Sequence, residues 1–288
     1  MSCCTIGHIA TGSPRGTLTP IRDILTYLTY PIDFDTNPPK TKTHGLPKWE
    51  RAILLCSEGH GIEFPNIQLV ADSISQKLNC PVIAPNLLGD ASYPIIKPEG
   101  WDGDKELELF QIRHQPETVD PILREILDWM DTPTSKSGFG GVEYLGGIGY
   151  CFGGRYVIRL LAEGKIDVGV VNHPSFFTID EVKSLEKMRP SGINIADTGR
   201  EAWSPLAIFA AEDDDIFPET KRRETEDSLK SIGATWSCTT FSQTDHGFSV
   251  RGDPNDKATR FATQSALQGA VSWFDEYLGS YQRRSVKE

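Results

Sequence analysis

The sequence has few cysteines, fewer basic than acidic residues and no long apolar run, and each shortage excludes a class of protein. Six cysteines in 288 residues are too sparse for a disulfide scaffold, so we expect reduced thiols. Forty Asp and Glu against 29 Lys and Arg give a net charge of −11, which argues against a nucleic-acid or anionic-membrane partner. No apolar run approaches the length that spans a bilayer, so we expect no membrane partner.

Two further absences concern location and cofactors. Residues 1–11 lack the basic start and the long apolar core of a secretory signal, so we expect a cytoplasmic protein. The adjacent Cys3 and Cys4 have no second cysteine pair and no nearby His cluster to complete a zinc site. The sequence therefore predicts a protein without a bound metal or another cofactor.

What the sequence does contain is a regular alternation of short apolar runs and helical patterns. Strands are predicted at 24–30, 52–56, 82–84, 144–150, 168–172, 206–211 and 235–241, and helices at 67–78, 155–163, 218–231, 258–277 and from Pro116 onward. This alternation predicts an α/β fold with one mainly parallel sheet and helices on both faces. We assign residues 26–280 to a single domain, 1–25 to an N-terminal tail and 281–288 to a C-terminal tail. Residues 87–115 and 176–204 are predicted to be long irregular segments.

The most informative stretch is 146–154, with the sequence Gly-Gly-Ile-Gly-Tyr-Cys-Phe-Gly-Gly. An apolar run leads into Cys151 and a helix-compatible segment follows it. This is the Gly-x-nucleophile-x-Gly pattern of a nucleophile elbow, with cysteine in the place of serine. Glycines suit such a turn because the backbone of the nucleophile is strained and neighbouring chains leave no room for a Cβ. The alternative is a buried structural cysteine in a glycine-rich loop.

Two later strands end in groups that could activate a thiol. The acidic run 212–215 follows the strand predicted at 206–211, and His246 follows the next strand. Taken singly, the acidic run would be a solvated loop and the histidine a packing or surface residue. Together they stand in the order nucleophile, acid, histidine, which is the order of α/β-hydrolases. The sequence therefore predicts a triad of Cys151, His246 and one aspartate among Asp213, Asp214 and Asp215.

Three motifs make the chain resemble the dienelactone hydrolase family of α/β-hydrolases, in its fungal form, over about residues 26–278. They are Gly149-Tyr-Cys-Phe-Gly-Gly154, Asp214-Asp-Ile-Phe-Pro218 and His246-Gly-Phe-Ser-Val-Arg-Gly-Asp253. The resemblance implies an α/β-hydrolase fold and a cysteine nucleophile. In that family the aspartate lies four residues before the proline that opens the next helix, so the resemblance selects Asp214.

The resemblance also assigns the groups around the nucleophile. The family has a glutamate after its first core strand that contacts the cysteine in the resting enzyme, and this position falls on Glu58. The backbone N–H groups of Phe152 and Gly59 would form the oxyanion hole.

Substrate-binding residues are less well defined by the sequence. Bacterial members of the family hold a substrate carboxylate with arginines, so the resemblance implies this role for Arg251, although it lies one residue further from the histidine than in those members. Its alternative role is a salt bridge to Asp253 or Asp256. Trp101 would form a wall of the pocket or fill a gap in the local core, and His60 is expected to be a further pocket wall.

The combined prediction is a cytoplasmic, cofactor-free hydrolase of a small ester or lactone that could carry a carboxylate. It would act through a Cys-His-Asp triad and a thioester acyl-enzyme, as a monomer or a weak homodimer. The alternatives are a thioesterase or acyltransferase on the same triad and a non-catalytic binding protein that kept the fold. A thiol-redox protein is disfavoured because the sequence has no Cys-x-x-Cys.

Overall fold

The computed structural model describes residues 7–32, 41–43, 46–94, 97–188 and 203–279. The strands in this part of the chain are β1 (Thr17–Ile21), β2 (Ile24–Thr29), β3 (Thr41–Thr43), β4 (Leu46–Cys56), β5 (Val82–Pro85), β6 (Val142–Tyr150), β7 (Val168–Asn172), β8 (Leu206–Asp213) and β9 (Trp236–Asp245). The helices are α1 (Pro65–Leu78), α2 (Gly103–Arg113), α3 (Pro116–Asp131), α4 (Phe152–Ala162), α5 (Ile179–Lys183), α6 (Glu219–Ile232), α7 (Phe248–Arg251) and α8 (Lys257–Tyr277).

The strands form one sheet in the order β1-β2-β5-β4-β6-β7-β8-β9, and β3 pairs with β4 beside it. Every neighbouring pair from β5 to β9 in this order is parallel. The β1–β2 hairpin adds an antiparallel edge. The prediction of a mainly parallel sheet is therefore confirmed.

Two hydrophobic clusters lie on opposite faces of this sheet. Successive residues of β4 alternate between them, with Leu54 in one cluster and Ile53 in the other, as the pleat of a strand requires. The first cluster includes residues of α3, α4 and α6, and the second includes residues of α1 and α8. Both faces are thus covered by helices, and the continuous apolar runs of the inner strands follow from burial on both sides.

The prediction that residues 87–115 are irregular is wrong for the part that forms α2. Asp102 caps this helix by accepting hydrogen bonds from the N–H groups of residues 104 and 105. Only Leu107 and Phe110 of α2 are buried, so its sequence is mostly charged and carries a weak helical pattern. In the other segment predicted to be irregular, α5 begins at a capping box formed by Thr178 and Glu181.

Part of the predicted N-terminal tail is bound to the sheet and to the loops beside it. β1 lies within residues 1–25 and pairs with β2 along its whole length. The N–H of His8 donates to the carbonyl of Arg251 at 2.9 Å, and the N–H of Ala10 donates to Asn66 Oδ1 at 2.8 Å. The predicted C-terminal tail, 281–288, and Cys3 and Cys4 lie outside the described residues.

None of the helices in the described ranges is both long enough and apolar enough to cross a membrane.

Candidate active site

Cys151 occupies a sharp turn between β6 and α4, as the glycine-flanked motif predicts. Its backbone has φ of 50° and ψ of −115°, a conformation that side-chain-bearing residues rarely adopt. A Cβ on Gly149 would lie 2.5 Å from the carbonyl oxygen of Gly153, and a Cβ on Gly153 would collide with the carbonyl of Cys56. The two flanking glycines are therefore required by close backbone approach, and the turn holds Cys151 at the carboxyl end of the sheet.

The loop after β7 is bound to this turn by backbone hydrogen bonds. The N–H of Cys151 donates to the carbonyl of Asn172, and the N–H of Ser175 donates to the carbonyl of Cys151, both at 3.0 Å. The Ser175 hydroxyl lies 3.3 Å from Cys151 Sγ and 3.4 Å from His246 Nε2. The sequence analysis missed Ser175. The available signal was the polar His-Pro-Ser that directly follows the buried strand β7.

His246 and Asp214 lie at the ends of the neighbouring strands β9 and β8, and the structure brings them together. His246 Nδ1 and Asp214 Oδ2 are 2.8 Å apart. The other carboxylate oxygen, Oδ1, accepts hydrogen bonds from the N–H groups of Ile216 and Phe217, each at 2.9 Å. Both oxygens of Asp214 are thus bound, and this fixes the plane of its carboxylate toward the imidazole.

Burial distinguishes Asp214 from its acidic neighbours. Asp214 is 4% exposed, whereas Asp213 and Asp215 are exposed side chains at the surface. Of the three candidates that the acidic run offered, Asp214 is the aspartate that contacts His246. The resemblance to the family selects the same residue, because Asp214 lies four residues before Pro218 in the sequence.

The electrostatic environment favours the charged forms of this pair. Burial alone would lower the pKa of the His246 imidazole, but Cys151 and Asp214 beside it raise that pKa to about 10. Burial opposes ionisation of Asp214, yet the hydrogen bonds from His246 and from two backbone N–H groups lower the pKa of its carboxyl. Asp214 is therefore an anion that supports a protonated His246.

His173 is a second histidine in the site that the sequence analysis did not single out. Its φ is 36°, its Nε2 lies 2.8 Å from Ser249 Oγ, and its ring centroid lies 4.9 Å from that of His246. Burial, followed by the charges of His246 and Arg251, lowers its pKa well below the usual value. His173 is therefore a neutral ring that packs beside the charged one.

Glu58, in the loop after β4, and Arg251, at the end of α7, form a buried ion pair. Arg251 Nε donates to Glu58 Oε2 at 2.7 Å, and the two residues are 4% and 1% exposed. Among the described residues, Glu58 Oε1 has no hydrogen-bond partner although it is buried. The glutamate predicted to lie at the nucleophile and the arginine predicted to anchor a carboxylate are thus bound to each other.

The two predicted oxyanion-hole residues lie on adjacent segments, Phe152 in α4 and Gly59 in the loop after β4. Phe152 is the first residue of α4, so its N–H has no partner within the helix. Gly59 follows Glu58 in the loop after β4. In the same loop, the carbonyl of Ser57 accepts a hydrogen bond of 3.1 Å from the N–H of Gly153. A Cβ on Gly59 would lie 2.6 Å from the ring of Tyr93, so glycine permits that ring to cover the loop.

A group of aromatic rings covers these loops. Tyr93 stacks on Phe110 with centroids 4.7 Å apart, and Phe110 meets Phe152 edge-on at 5.2 Å. Trp101 packs on Tyr93 at 6.2 Å, so its ring is joined to Phe152 through two other rings. His60, expected to wall the pocket, packs between Phe64 and Tyr93 and hydrogen-bonds the Tyr93 carbonyl. Phe152, at one end of this group of rings, directly follows Cys151, which is 2% exposed.

Among the described residues, no group of three or more His, Cys, Asp or Glu side chains could hold a metal ion.

The doubly covered parallel sheet, with a strained cysteine turn at its carboxyl edge, defines the protein as an α/β-hydrolase. The profile of the dienelactone hydrolase family matches residues 41–278. The chain belongs to that family, which confirms the predicted class of an ester or lactone hydrolase.

Individual relatives agree with this assignment. The chain is 35% identical to "Hydrolase tropI" of Talaromyces stipitatus over 96% of both chains, and 32% identical to "Hydrolase pyvD" of Aspergillus violaceofuscus over the same shares. It is 24% identical to "Dienlactone hydrolase 1" of Gibberella moniliformis, over 96% of this chain and 93% of that one. A crystal structure of a proposed dienelactone hydrolase from Klebsiella pneumoniae has a TM-score of 0.66 at 16% identity, covers 92% of this chain and all of its own, and shares its fold.

Proposed function

We propose that the protein hydrolyses a small ester or lactone through a thioester on Cys151. His246 would act as the base and acid, and Asp214 would orient it. The observation that carries this proposal is the 2.8 Å contact between His246 and Asp214, placed beside a strained cysteine turn. Three residues distant in sequence meet at the carboxyl edge of one sheet, where open α/β folds hold their reacting groups.

The first half of the reaction would form the acyl-enzyme. The Cys151 thiolate attacks the carbonyl carbon of the substrate, and a C–S bond forms while the carbonyl electrons move to oxygen. The N–H groups of Phe152 and Gly59 would bind this oxyanion. Collapse breaks the C–O bond to the alcohol, which takes its proton from the His246 imidazolium.

The second half would release the acid. His246 accepts a proton from a water molecule, and the resulting hydroxide attacks the thioester carbonyl. The C–S bond then breaks, the acid leaves, and Cys151 and His246 regain their starting protonation states. For a lactone, the alcohol and the acid remain on one product molecule.

The Glu58–Arg251 pair supports a substrate that carries a carboxylate. A substrate carboxylate would compete with Glu58 for the guanidinium of Arg251, because both are planar anions that suit its donors. Glu58 released in this way would be the alternative to His246 as the group that takes the proton of Cys151 before the attack. Trp101 would contribute to the aromatic cover of the site.

The cytoplasmic location, the monomeric or weakly dimeric state and the lack of cofactor, nucleic-acid and membrane partners remain predictions from the sequence.

The same triad would also serve a thioesterase, whose leaving group is a thiol, or an acyltransferase, whose acyl acceptor is a molecule other than water. A protein that kept the fold without catalysis would be inactive on every substrate.

The test is a panel of aryl esters, lactones and acyl-thioesters, each with and without a carboxylate, measured with the native protein and with Cys151→Ala. We expect ester or lactone hydrolysis that falls by roughly three or more orders of magnitude in the variant. The matched control is Cys238→Ala, which removes a free thiol away from the site. Iodoacetamide should label Cys151 fastest. Undiminished activity of Cys151→Ala would refute the mechanism.

A further inference from the structure

The Ser175 hydroxyl lies within hydrogen-bonding distance of the two groups that carry opposite charges in the proposed mechanism, the Cys151 thiolate and the His246 imidazolium. Its oxygen is 3.3 Å from Cys151 Sγ and 3.4 Å from His246 Nε2. The residue is fully buried. A hydroxyl in this place bridges sulfur and imidazole without bulk water.

The position of this hydroxyl is fixed by the backbone around it. The N–H of Ser175 donates to the Cys151 carbonyl, and the N–H of Cys151 donates to the Asn172 carbonyl, so both ends of the loop are bound to the turn. Pro174 packs against Gly154, where a Cβ would lie 2.7 Å from the proline Cβ. Ser175 therefore cannot shift relative to Cys151 without breaking the turn that holds the sulfur.

A serine hydroxyl has one proton to donate and lone pairs to accept. When Cys151 is a thiolate and His246 an imidazolium bonded to it, the Ser175 hydroxyl can donate a further hydrogen bond to sulfur while its oxygen faces Nε2. A thiolate accepts such a bond more strongly than a neutral thiol, because hydrogen bonds to ionised groups are the stronger ones. The bridge thus favours the charged pair.

We propose that Ser175 is a positioning residue that stabilises the Cys151 thiolate and His246 imidazolium as a pair. The proposal rests on the proposed function only for naming Cys151 as the nucleophile. The other charged or titratable groups facing the pair are Asp214 from the end of β8, Glu58 from the end of β4, Arg251 from α7 and the neutral His173 from the end of β7. The substitutions below leave all of these in place.

The test compares the native protein with Ser175→Ala. The pKa of Cys151 is read, without substrate, from the pH dependence of its alkylation by iodoacetamide, with the labelled peptide identified by mass spectrometry. Loss of a hydrogen bond to a charged group should raise this pKa by about one to two units. The low-pH limb of kcat/KM should move by the same amount, and the native and variant rates should converge at high pH.

Two further variants separate this role from packing. Ser175→Thr keeps the hydroxyl, so the pKa of Cys151 should stay at its native value. The control Ser75→Ala removes a buried hydroxyl that donates to the Cys80 carbonyl far from the site, so it should leave the pKa of Cys151 unchanged. Thermal unfolding checks that each variant is folded, and Ser175→Gly replaces the alanine variant if that one does not fold. An unchanged or lowered pKa in the hydroxyl-free variant would overturn the proposal.

The two proposals can fail separately. If Cys151→Ala hydrolyses the substrates normally, the proposed function fails, while the alkylation pKa still reports whether Ser175 acts on the thiol. If Cys151→Ala is inactive but Ser175→Ala leaves the pKa of Cys151 unchanged, the triad mechanism stands and the proposed role of Ser175 is refuted.

Discussion

The site has two halves that are built differently. The triad half consists of Cys151, His246 and Asp214, and the ion-pair half consists of Glu58 and Arg251. In the triad half, both carboxylate oxygens of Asp214 are bound, one by His246 and one by two backbone N–H groups. In the ion-pair half, one oxygen of Glu58 is bound by Arg251, and within the described residues the other is buried without a hydrogen-bond partner.

This difference indicates separate tasks. The bound carboxylate of Asp214 fixes the geometry of the triad half before any substrate arrives, which is the preorganisation that the proposed mechanism needs. The ion-pair half leaves a buried polar atom unsatisfied, which costs free energy in the resting protein. We therefore expect changes in the triad half to lower kcat for all substrates, and changes in the ion-pair half to alter stability and substrate preference.

The largest effect is expected for His246→Ala. Without the imidazole, the attacking water has no base and the leaving alcohol has no acid, so kcat should fall by roughly five to six orders of magnitude with a modest change in KM. Steady-state kinetics on the best ester of the panel measures this. A rate close to native would mean that another group is the base.

Asp214→Asn should cost somewhat less, about three to four orders of magnitude in kcat, because the amide no longer holds the imidazole in the tautomer that the reaction needs. Asp213→Asn and Asp215→Asn are matched controls, since both side chains are exposed in the same loop. These controls should stay within about twofold of native activity, as surface substitutions usually do. A large loss in either control would move the acid to that residue.

Breaking the ion-pair half should show first in stability. Arg251→Ala leaves the Glu58 carboxylate buried and unpaired, so the free energy of unfolding should fall by about 3–5 kcal/mol. Urea titration measures this loss, and the double variant Glu58→Gln with Arg251→Ala should recover part of it.

The single variant Arg251→Ala should also lose any preference for carboxylate-bearing esters over their uncharged analogues. A preference that survives would remove Arg251 as the anchor.

The smallest effect concerns the pH dependence of stability, and it involves His173. Because its pKa is lowered in the folded protein, the unfolded chain binds the extra proton as the pH falls below about 6.5. Stability should therefore drop on acidification, by up to about 1.4 kcal/mol per pH unit for this group. His246 acts in the opposite direction near pH 7, because its raised pKa keeps it protonated in the folded protein while the unfolded chain gains that proton only near pH 6.5. Below about pH 5.5 it is protonated in both states and adds little. His173→Gln should therefore reduce the loss of stability between pH 6 and pH 5 relative to the native protein, and an unchanged loss would contradict this account.

The sequence was sufficient for the sheet and for placing Cys151, the acidic run 212–215 and His246 at one edge of it, while the choice of Asp214 came from the family resemblance. Each of Cys151, Asp214 and His246 directly follows its own strand, and parallel strands bring such positions to one edge. Ser175 follows β7 in the same way. It was missed because a lone serine after a strand carries no distinguishing chemistry.

The ion-pair half and the cover were less predictable. Glu58 and Arg251 are 193 residues apart and were assigned separate roles, because no local pattern reveals that two charges are buried against each other. α2 was missed because only two of its residues are buried, so the periodicity that marks a helix is weak there.

The measurement that tests the central claim most directly is identification of the acylated residue during turnover. The native protein, acid-quenched while it hydrolyses a slow aryl ester, should carry the acyl group on the peptide that contains Cys151, and Cys151→Ala should carry none. An acyl group found on another residue, or normal turnover by Cys151→Ala, would contradict the account.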